Sequence, residues 1–382
     1  MAYRILMLSH HGRTVGGAAL ADRSLALALS RLGHDVDLLF FDDVLPRFVK
    51  ATWRLLLFPW AAALALMRRR RHADYDVVEA TAGDAWVSRA LLRLAGGRQP
   101  LLSIRTHGLE HRRAEMDLER WHSRGTRIPL LTHLYHFRYR LWEVARDLRN
   151  ADLVFLLNHE DAQFAVQRLK LAPERIHEVP NGVPEELLRV ADPDGPEDRA
   201  FRLLFLGTWS AAKGADLLPR IAARLFRSDP RYRLTCAGVQ VPEEMVTADF
   251  DPVDRPRLRV VTRYERADLP AILAEHGVFL FPSPAEGCSL ALLEAMAGGL
   301  APITTRTGYA AELIEPGNNG FLAEAGDVEG FVAPALRLAA DPAAATEIGR
   351  SARRSVKNLT WEGNAAKRVR LWDSLLAHAP PG

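Results

Sequence analysis

Cysteine is nearly missing from this sequence: Cys236 and Cys288 are the two in 382 residues. Two thiols build no disulfide framework, which excludes the cystine-stapled secreted domains and points to a reducing cytoplasm. A membrane-spanning run is missing too. Leu55 to Met67 carries no charge, but these 13 residues fall short of the roughly 20 that cross a bilayer. The opening MAYRILMLSHHG lacks the basic start and long apolar centre of a signal peptide, and reads as a first strand. The dinucleotide fingerprint GxGxxG is absent, which argues against a nicotinamide oxidoreductase. No aromatic pattern suited to stacking on bases is present, which argues against a nucleic-acid partner.

What is present is the composition of an ordinary globular protein, 48% hydrophobic and 25% charged, at a length that suggests two domains. The net charge of +3 is unevenly spread. Residues 1–180 hold 27 Lys and Arg against 20 Asp and Glu, a balance of +7, and the rest hold 23 against 27, a balance of −4. A basic N-terminal half suggests an anionic partner there. Within it, the charge-free run ending at Met67 closes on Arg68-Arg69-Arg70-Arg71. One reading of residues 48–71 is an interfacial helix whose arginines meet lipid phosphates, a peripheral contact with an anionic inner membrane face. The other is a helix packed on its own domain with a solvated arginine end.

Element order sets the fold class. Arg4 to Ser9 reads as a strand, His10 to Gly17 as a loop, Ala18 to Arg31 as a helix and His34 to Phe41 as a strand. Gly16-Gly17 in that loop lets a ligand approach the backbone, or makes a plain tight turn. Further strands follow at Tyr75–Ala80, Leu101–Arg105 and Asp152–Leu157. The strand ending at Arg105 runs into Thr106-His107-Gly108, which puts His107 where open α/β sheets bind ligands. His122, His133 and His136 lie in a basic helical stretch, Arg112 to Arg149, and fit no metal-ligand spacing. Pro180-Asn181-Gly182-Val183-Pro184 is a sharp turn, and ADPDGPEDRA at 191–200 reads as a linker. Strand–helix alternation restarts at Phe201. The expected architecture is α/β, two Rossmann-like doubly wound domains facing a cleft, at residues 1–190 and 191–358. A last helix, within 359–382, is expected to pack back toward the first domain.

The densest chemistry lies in FLFPSPAEGCSLALLEAMAGGLAPITT, Phe279 to Thr305. A buried strand, Val278 to Phe281, meets Pro282-Ser283-Pro284, which cannot continue a ladder. A helix rich in Leu and Ala follows, Leu290 to Ala297, and Gly298-Gly299 stop it. The backbone N–H groups around Cys288, Ser289 and Leu290 are helix-start donors that favour an anion such as a diphosphate. Glu286 stands at the same mouth. Glu294, about two turns on, is placed to bind a ribose. A blander reading of the pair also stands: a helix-start acid favoured by the dipole, and a solvated helix residue.

Taken together, these motifs resemble the retaining nucleotide-sugar glycosyltransferases of the GT-B fold, family 4 (glycosyl transferases group 1). That family's glutamate, seven residues, glutamate corresponds to Glu286 and Glu294, preceded by VFLFPS. PNGV at Pro180 to Val183, FLGTWSAAKGADLL from Phe205 and the Gly-rich Gly308 to Asp327 match in order and spacing. The resemblance implies that Gly16 and Gly17 approach the donor phosphates and that His107 lies near the donor sugar. It implies that Lys213, in the loop opened by Gly207 and Thr208, neutralises the diphosphate. Glu286 then faces the donor sugar, the amides of Gly287, Cys288, Ser289 and Leu290 meet its hydroxyls and phosphate, and Glu294 binds the ribose. Arg263 and Tyr264 fall where the nucleobase is cradled. Thr208 departs from the pattern, because the family often has Arg there, and a hydroxyl brings no charge. Arg263 or Arg266 is a candidate to compensate.

The implied enzyme is a metal-independent, retaining hexosyl transferase without a cofactor, taking a UDP or GDP sugar as donor and a glycan or lipid-linked acceptor in the cytoplasm. Glu286, His107 and Lys213 are its expected catalytic residues. Asp-x-Asp triplets occur at Asp35, Asp74, Asp192 and Asp249, in strand, loop and linker settings, and none is read as a metal site. A nucleotide-sugar epimerase and a non-catalytic nucleotide- or glycan-binding homologue share the expected architecture and are the rival readings.

Overall fold

The computed structural model describes residues 2–13, 16–46, 48–49, 51–70, 74–123, 128–189 and 197–377. Arg71, part of the first glycine loop and residues 191–196 of the expected linker lie outside them. The chain divides into two units. The first is Met1–Gly182 with Trp361–Gly382, and the second is Val183–Thr360.

The first unit is built on a parallel six-stranded sheet in the order β2-β1-β3-β4-β5-β6. These strands are β1 (Arg4–Ser9), β2 (Asp35–Phe40), β3 (Val77–Thr81), β4 (Leu101–Arg105), β5 (Leu153–Leu156) and β6 (Ile176–Glu178). The central strands β3, β4 and β5 are buried along their whole length, as parallel strands covered on both faces must be. Helices connect them: α1 (Gly16–Arg31), α2 (Ala51–Arg70), α3 (Trp86–Ala95), α4 (Glu110–Ser123) and α5 (Leu141–Asn150). The described parts of the basic stretch from Arg112 to Arg149 are largely helical. A wide-turn helical segment, His133–Arg140, runs directly into α5.

The second unit repeats the plan, with strand order β12-β11-β10-β7-β8-β9. Its strands are β7 (Arg202–Leu206), β8 (Arg233–Ala237), β9 (Leu258–Val261), β10 (Val278–Phe281), β11 (Ala301–Thr305) and β12 (Phe321–Ala323). Two of its helices matter most for the site: α6 (Leu218–Ser228) follows β7, and α7 (Leu290–Ala297) follows β10. Phe205, Phe279 and Phe281 are fully buried between the two central strands' layers and stack on one another.

The boundary falls at the PNGV turn rather than at residue 190, and backbone bonding explains why. Val183 N–H donates to the Leu359 carbonyl at 2.6 Å and pairs with Thr360 as a parallel bridge. The Arg353 guanidinium holds the Leu188 carbonyl at 2.8 Å. Residues 183–189 are therefore stitched to the second unit before the Pro- and Asp-rich stretch begins. The closing helix α8 (Trp361–Leu376) belongs to the first unit. Its Arg368 forms an ion pair with Glu79 of β3, both almost fully buried, and its Asn364 donates to the Pro180 carbonyl at 2.7 Å. Among the described residues, no helix is long and apolar enough to cross a membrane.

Candidate active site

In a doubly wound sheet, ligands bind beyond the carboxyl ends of the strands, at the point where strand order reverses. In the second unit that point is the β7/β10 boundary. The loop after β7 carries Lys213, and the loop after β10 carries Glu286. Lys213 Nζ stands 2.6 Å from Glu286 Oε1. The pair is held from several sides. Ser283 Oγ lies 2.7 Å from the same Glu286 oxygen and 2.9 Å from the Ala212 carbonyl. The Lys213 ammonium sits 5.8 Å from the centre of the Phe281 ring. Gly214, at φ 74°, packs so tightly that a Cβ would lie 2.2 Å from the Pro282 carbonyl oxygen. Gly308, at φ 49°, likewise presses on the Glu286 carbonyl, with 2.2 Å to a Cβ. Both glycines are where they are because a side chain would separate the loops.

Helix α7 starts at this place. Ser289 caps it, its hydroxyl accepting from the Leu292 N–H at 3.3 Å. Cys288 is buried beside the cap. Thr208 Oγ1 lies 3.5 Å from Ser210 Oγ, so the loop after β7 offers hydroxyls where the resembled pattern often has Arg.

Farther along α7, Glu294 is buried, and Arg266 Nη1 reaches its Oε1 at 2.7 Å. Burial raises the Glu294 pKa, with Arg266 partly offsetting the rise. Tyr264 belongs to the same neighbourhood. Burial and the nearby Glu294 push its phenol up to about 12, and its ring packs on Gly238, 3.1 Å from where a Cβ would be. Gly238 in turn lies against the Gly207 backbone. Gly207, Tyr264 and Glu294 are thus linked in the second unit, whereas Arg263 is exposed. Arg266, not Arg263, is the cation that meets an acid.

The first unit has its own switch point, between β1 and β3. His10 follows β1, and its Nδ1 lies 2.9 Å from Asp84 Oδ1 in the turn after β3. Burial drives the His10 pKa down to about 3 and raises that of Asp84 well above the usual carboxylate range, with Arg140 partly offsetting the rise. The His11 ring lies 4.3 Å from His10 and 5.0 Å from His107 between ring centres. Burial, with both neighbouring imidazoles adding, takes His11 down to about 2. His107 Nε2 is 3.2 Å from Asp22 Oδ1 of α1. Asp22 also receives Arg105 Nε at 2.8 Å. Burial alone would raise the Asp22 pKa, but Arg105 and His107 outweigh it and hold the group well below the usual carboxylate range. Gly16, at φ 91°, and Gly17 open α1 and are exposed.

Asp22, Ser283 and the Arg266–Glu294 contact were not read from the sequence as site features. Asp22 had a signal: it falls in register with Leu25 and Leu29, on the buried stripe of α1. Among the described residues, no group of three or more His, Cys, Asp and Glu could hold a metal ion.

Comparisons with known proteins bear on this arrangement. Residues 200–341 match the family described as glycosyl transferases group 1, and residues 15–187 match glycosyltransferase family 4. The chain belongs to glycosyltransferase family 4. The chain is similar to an MMP alpha-(1->4)-mannosyltransferase of Mycolicibacterium hassiacum, 26% identical over 98% of each chain. A D-inositol 3-phosphate glycosyltransferase of Catenulispora acidiphila is 29% identical over 55% of this chain and 54% of its own. In fold, the chain is similar to sucrose-phosphate synthase from Thermosynechococcus elongatus, with TM-score 0.78, 20% identity and coverage of 99% and 100%. It is also similar to the Anabaena protein HepE in complex with UDP-glucose, with TM-score 0.68, 17% identity and coverage of 97% and 100%. The chemistry of this family 4 member is glycosyl transfer, on two α/β units of the GT-B kind.

Proposed function

We propose that the chain transfers a sugar, with retention and without a metal ion, from a UDP or GDP sugar to an acceptor hydroxyl of a glycan or lipid-linked glycan. The observation that carries this reading is the Lys213–Glu286 pair at the strand-order reversal of the second unit, beside the capped start of α7. Lys213 is there to move from the carboxylate to the diphosphate as the leaving group gains charge. The amides from Gly287 to Leu290 and the α7 dipole add positive potential at the same oxygens. Lys213 then supplies the charge that a divalent cation supplies in other transferases. Thr208 contributes a hydrogen bond to a phosphate oxygen.

Released from Lys213, Glu286 positions the sugar and stabilises the oxocarbenium-like carbon. Arg266 occupies Glu294 Oε1, and Oε2 takes a ribose hydroxyl, with Tyr264 near the base. In the first unit, His107, its Nε2 turned to Asp22, holds a hydroxyl of the donor sugar, and the Gly16-Gly17 backbone approaches a phosphate. Retention follows when the acceptor attacks from the leaving-group face and the diphosphate oxygen takes its proton. The same reading places the protein at the inner membrane face, touching anionic lipid through residues 48–71.

A thermal-shift panel of nucleoside diphosphates and their sugars in EDTA tests the donor. Ligand raises apparent stability by RT ln(1 + [L]/Kd), so the preferred base shows as the largest upward shift. NMR of the product anomer tests retention. No shift with any diphosphate, a strict need for a divalent ion, or an inverted product would each contradict the proposal. Epimerised donor formed without acceptor would assign the rival activity.

A further inference from the structure

We infer that the membrane-docking surface of the first unit is composite, an inference that rests on the proposed membrane contact of residues 48–71. The surface joins the outer face of α2 to the segment from Leu130 to Trp142 through Trp86, and its occupant is an anionic phospholipid surface.

Helix α2 is apolar on two faces. Phe58, Ala62, Ala63 and Leu66 point into the core and are fully buried. Trp53, Leu57, Trp60 and Leu64 recur every three or four residues on the opposite face, 40 to 58% exposed. A helix apolar all round belongs in a protein interior or against lipid. This one has its inner face covered and its outer face open.

The outer face does not end at α2. Trp60 meets Trp86 edge to face at 5.5 Å, and Trp86 meets Trp142 in the same way at 5.3 Å. Trp142 is itself 44% exposed, so two open indoles share one partly buried partner. Tyr139 lies 5.9 Å beyond Trp142. At the start of the same segment, Leu130, Leu131 and Leu134 are 71, 81 and 50% exposed. Single exposed leucines are ordinary, but a chain of open indoles and leucines across neighbouring elements marks an interaction surface. Indoles and phenols are the side chains that favour the headgroup level of a bilayer.

Charge selects the occupant. Neither Ala51–Arg70 nor Leu130–Trp142 contains an Asp or Glu. Exposed cations edge the surface: Arg68, Arg69 and Arg138, with Arg146 over both Trp86 and Trp142. The acids nearby are engaged: Asp37 lies beside Arg69, Asp42 beside Arg54, and the buried Glu143 accepts from Trp86 Nε1 at 3.2 Å. A second copy docked by twofold symmetry would set arginine against arginine. Lipid phosphates complement them, while the arginine stems lie along the apolar strip.

The test is co-sedimentation of the full chain with phosphatidylcholine vesicles and with phosphatidylglycerol-rich vesicles. The variants are Trp60→Glu and the double variant Leu130→Glu/Leu131→Glu. The changed side chains are exposed, and circular dichroism with donor-binding shifts confirms that each variant is folded. Binding of the wild type to the anionic vesicles, reduced about tenfold or more in both variants, is expected. If Trp60→Glu abolishes binding and the leucine variant binds like wild type, the surface is α2 alone and the composite is overturned, with the contact through residues 48–71 intact. If the wild type does not bind anionic vesicles, both fall. Concentration-dependent self-association that either variant abolishes, without vesicle binding, assigns the face to a second copy and overturns the lipid occupant.

Discussion

Arg266→Ala removes the partner of a buried acid, and its consequences can be worked out in advance. Glu294 is 4% exposed, and its contact with Arg266 is 2.7 Å long. Stripping one partner from a buried ion pair costs about 3–5 kcal/mol. The Arg266 side chain is 40% exposed, so the pair reaches water and part of the lost solvation returns. The expected cost at neutral pH is therefore about 1–3 kcal/mol. The pH dependence is the sharper signature. Burial already raises the Glu294 pKa against the pull of Arg266, and without the arginine it rises further. A carboxyl group whose folded-state pKa lies above its unfolded value, about 4.3, favours the protonated folded state. Its penalty is absent below that value and complete once the pH has passed the folded pKa. Urea unfolding of wild type and Arg266→Ala should thus diverge as the pH rises from about 4.3 toward neutrality. In a Glu294→Gln background the same substitution should cost little, at a cost independent of pH. Equal destabilisation at both ends of the range, or an undiminished cost in that background, would refute the reasoning.

Two other outcomes are expected. Gly214→Ala places a methyl 2.2 Å from the Pro282 carbonyl at φ 74°. It should cost about 2–5 kcal/mol, from left-handed strain plus overpacking, and thermal unfolding together with turnover will show whether Lys213 moves off Glu286 as stability falls. Burial raises Asp147 to about 8, above the unfolded value near 3.9, so its contribution to stability is lost as the pH rises from about 4 through 8. Asp147→Asn, whose amide oxygen can still accept from the Gly83 and Ala85 N–H groups, should flatten that decline in a urea titration.

Much of the site was legible because its elements are local. The apolar run Val278–Phe281, the prolines after it and the Leu- and Ala-rich helix to Ala297 announce strand, loop and helix without tertiary help. His107 is readable as the residue that follows a strand into Gly108. Contacts between distant segments were not readable. Arg266 and Arg263 are equivalent candidates in the sequence, and only packing against α7 selects Arg266 for Glu294. Ser283, between two prolines, looks like turn chemistry until the Ala212 and Glu286 oxygens are found beside it. The domain boundary went to the Pro- and Asp-rich stretch because composition marks flexibility, while the Val183–Leu359 bond that fixes the crossover joins residues far apart in the chain. The short strand Phe321–Ala323 lies inside the Gly-rich stretch from Gly308 to Asp327, where three residues are too few to show a strand pattern.

The central claim is that Lys213 and Glu286 carry the transfer. Release of nucleoside diphosphate in the presence of acceptor, measured in EDTA for wild type, Lys213→Ala and Glu286→Ala, tests it most directly. Turnover lower by about 10²–10³ in each variant is predicted, with circular dichroism unchanged. Near wild-type turnover in either folded variant would contradict it.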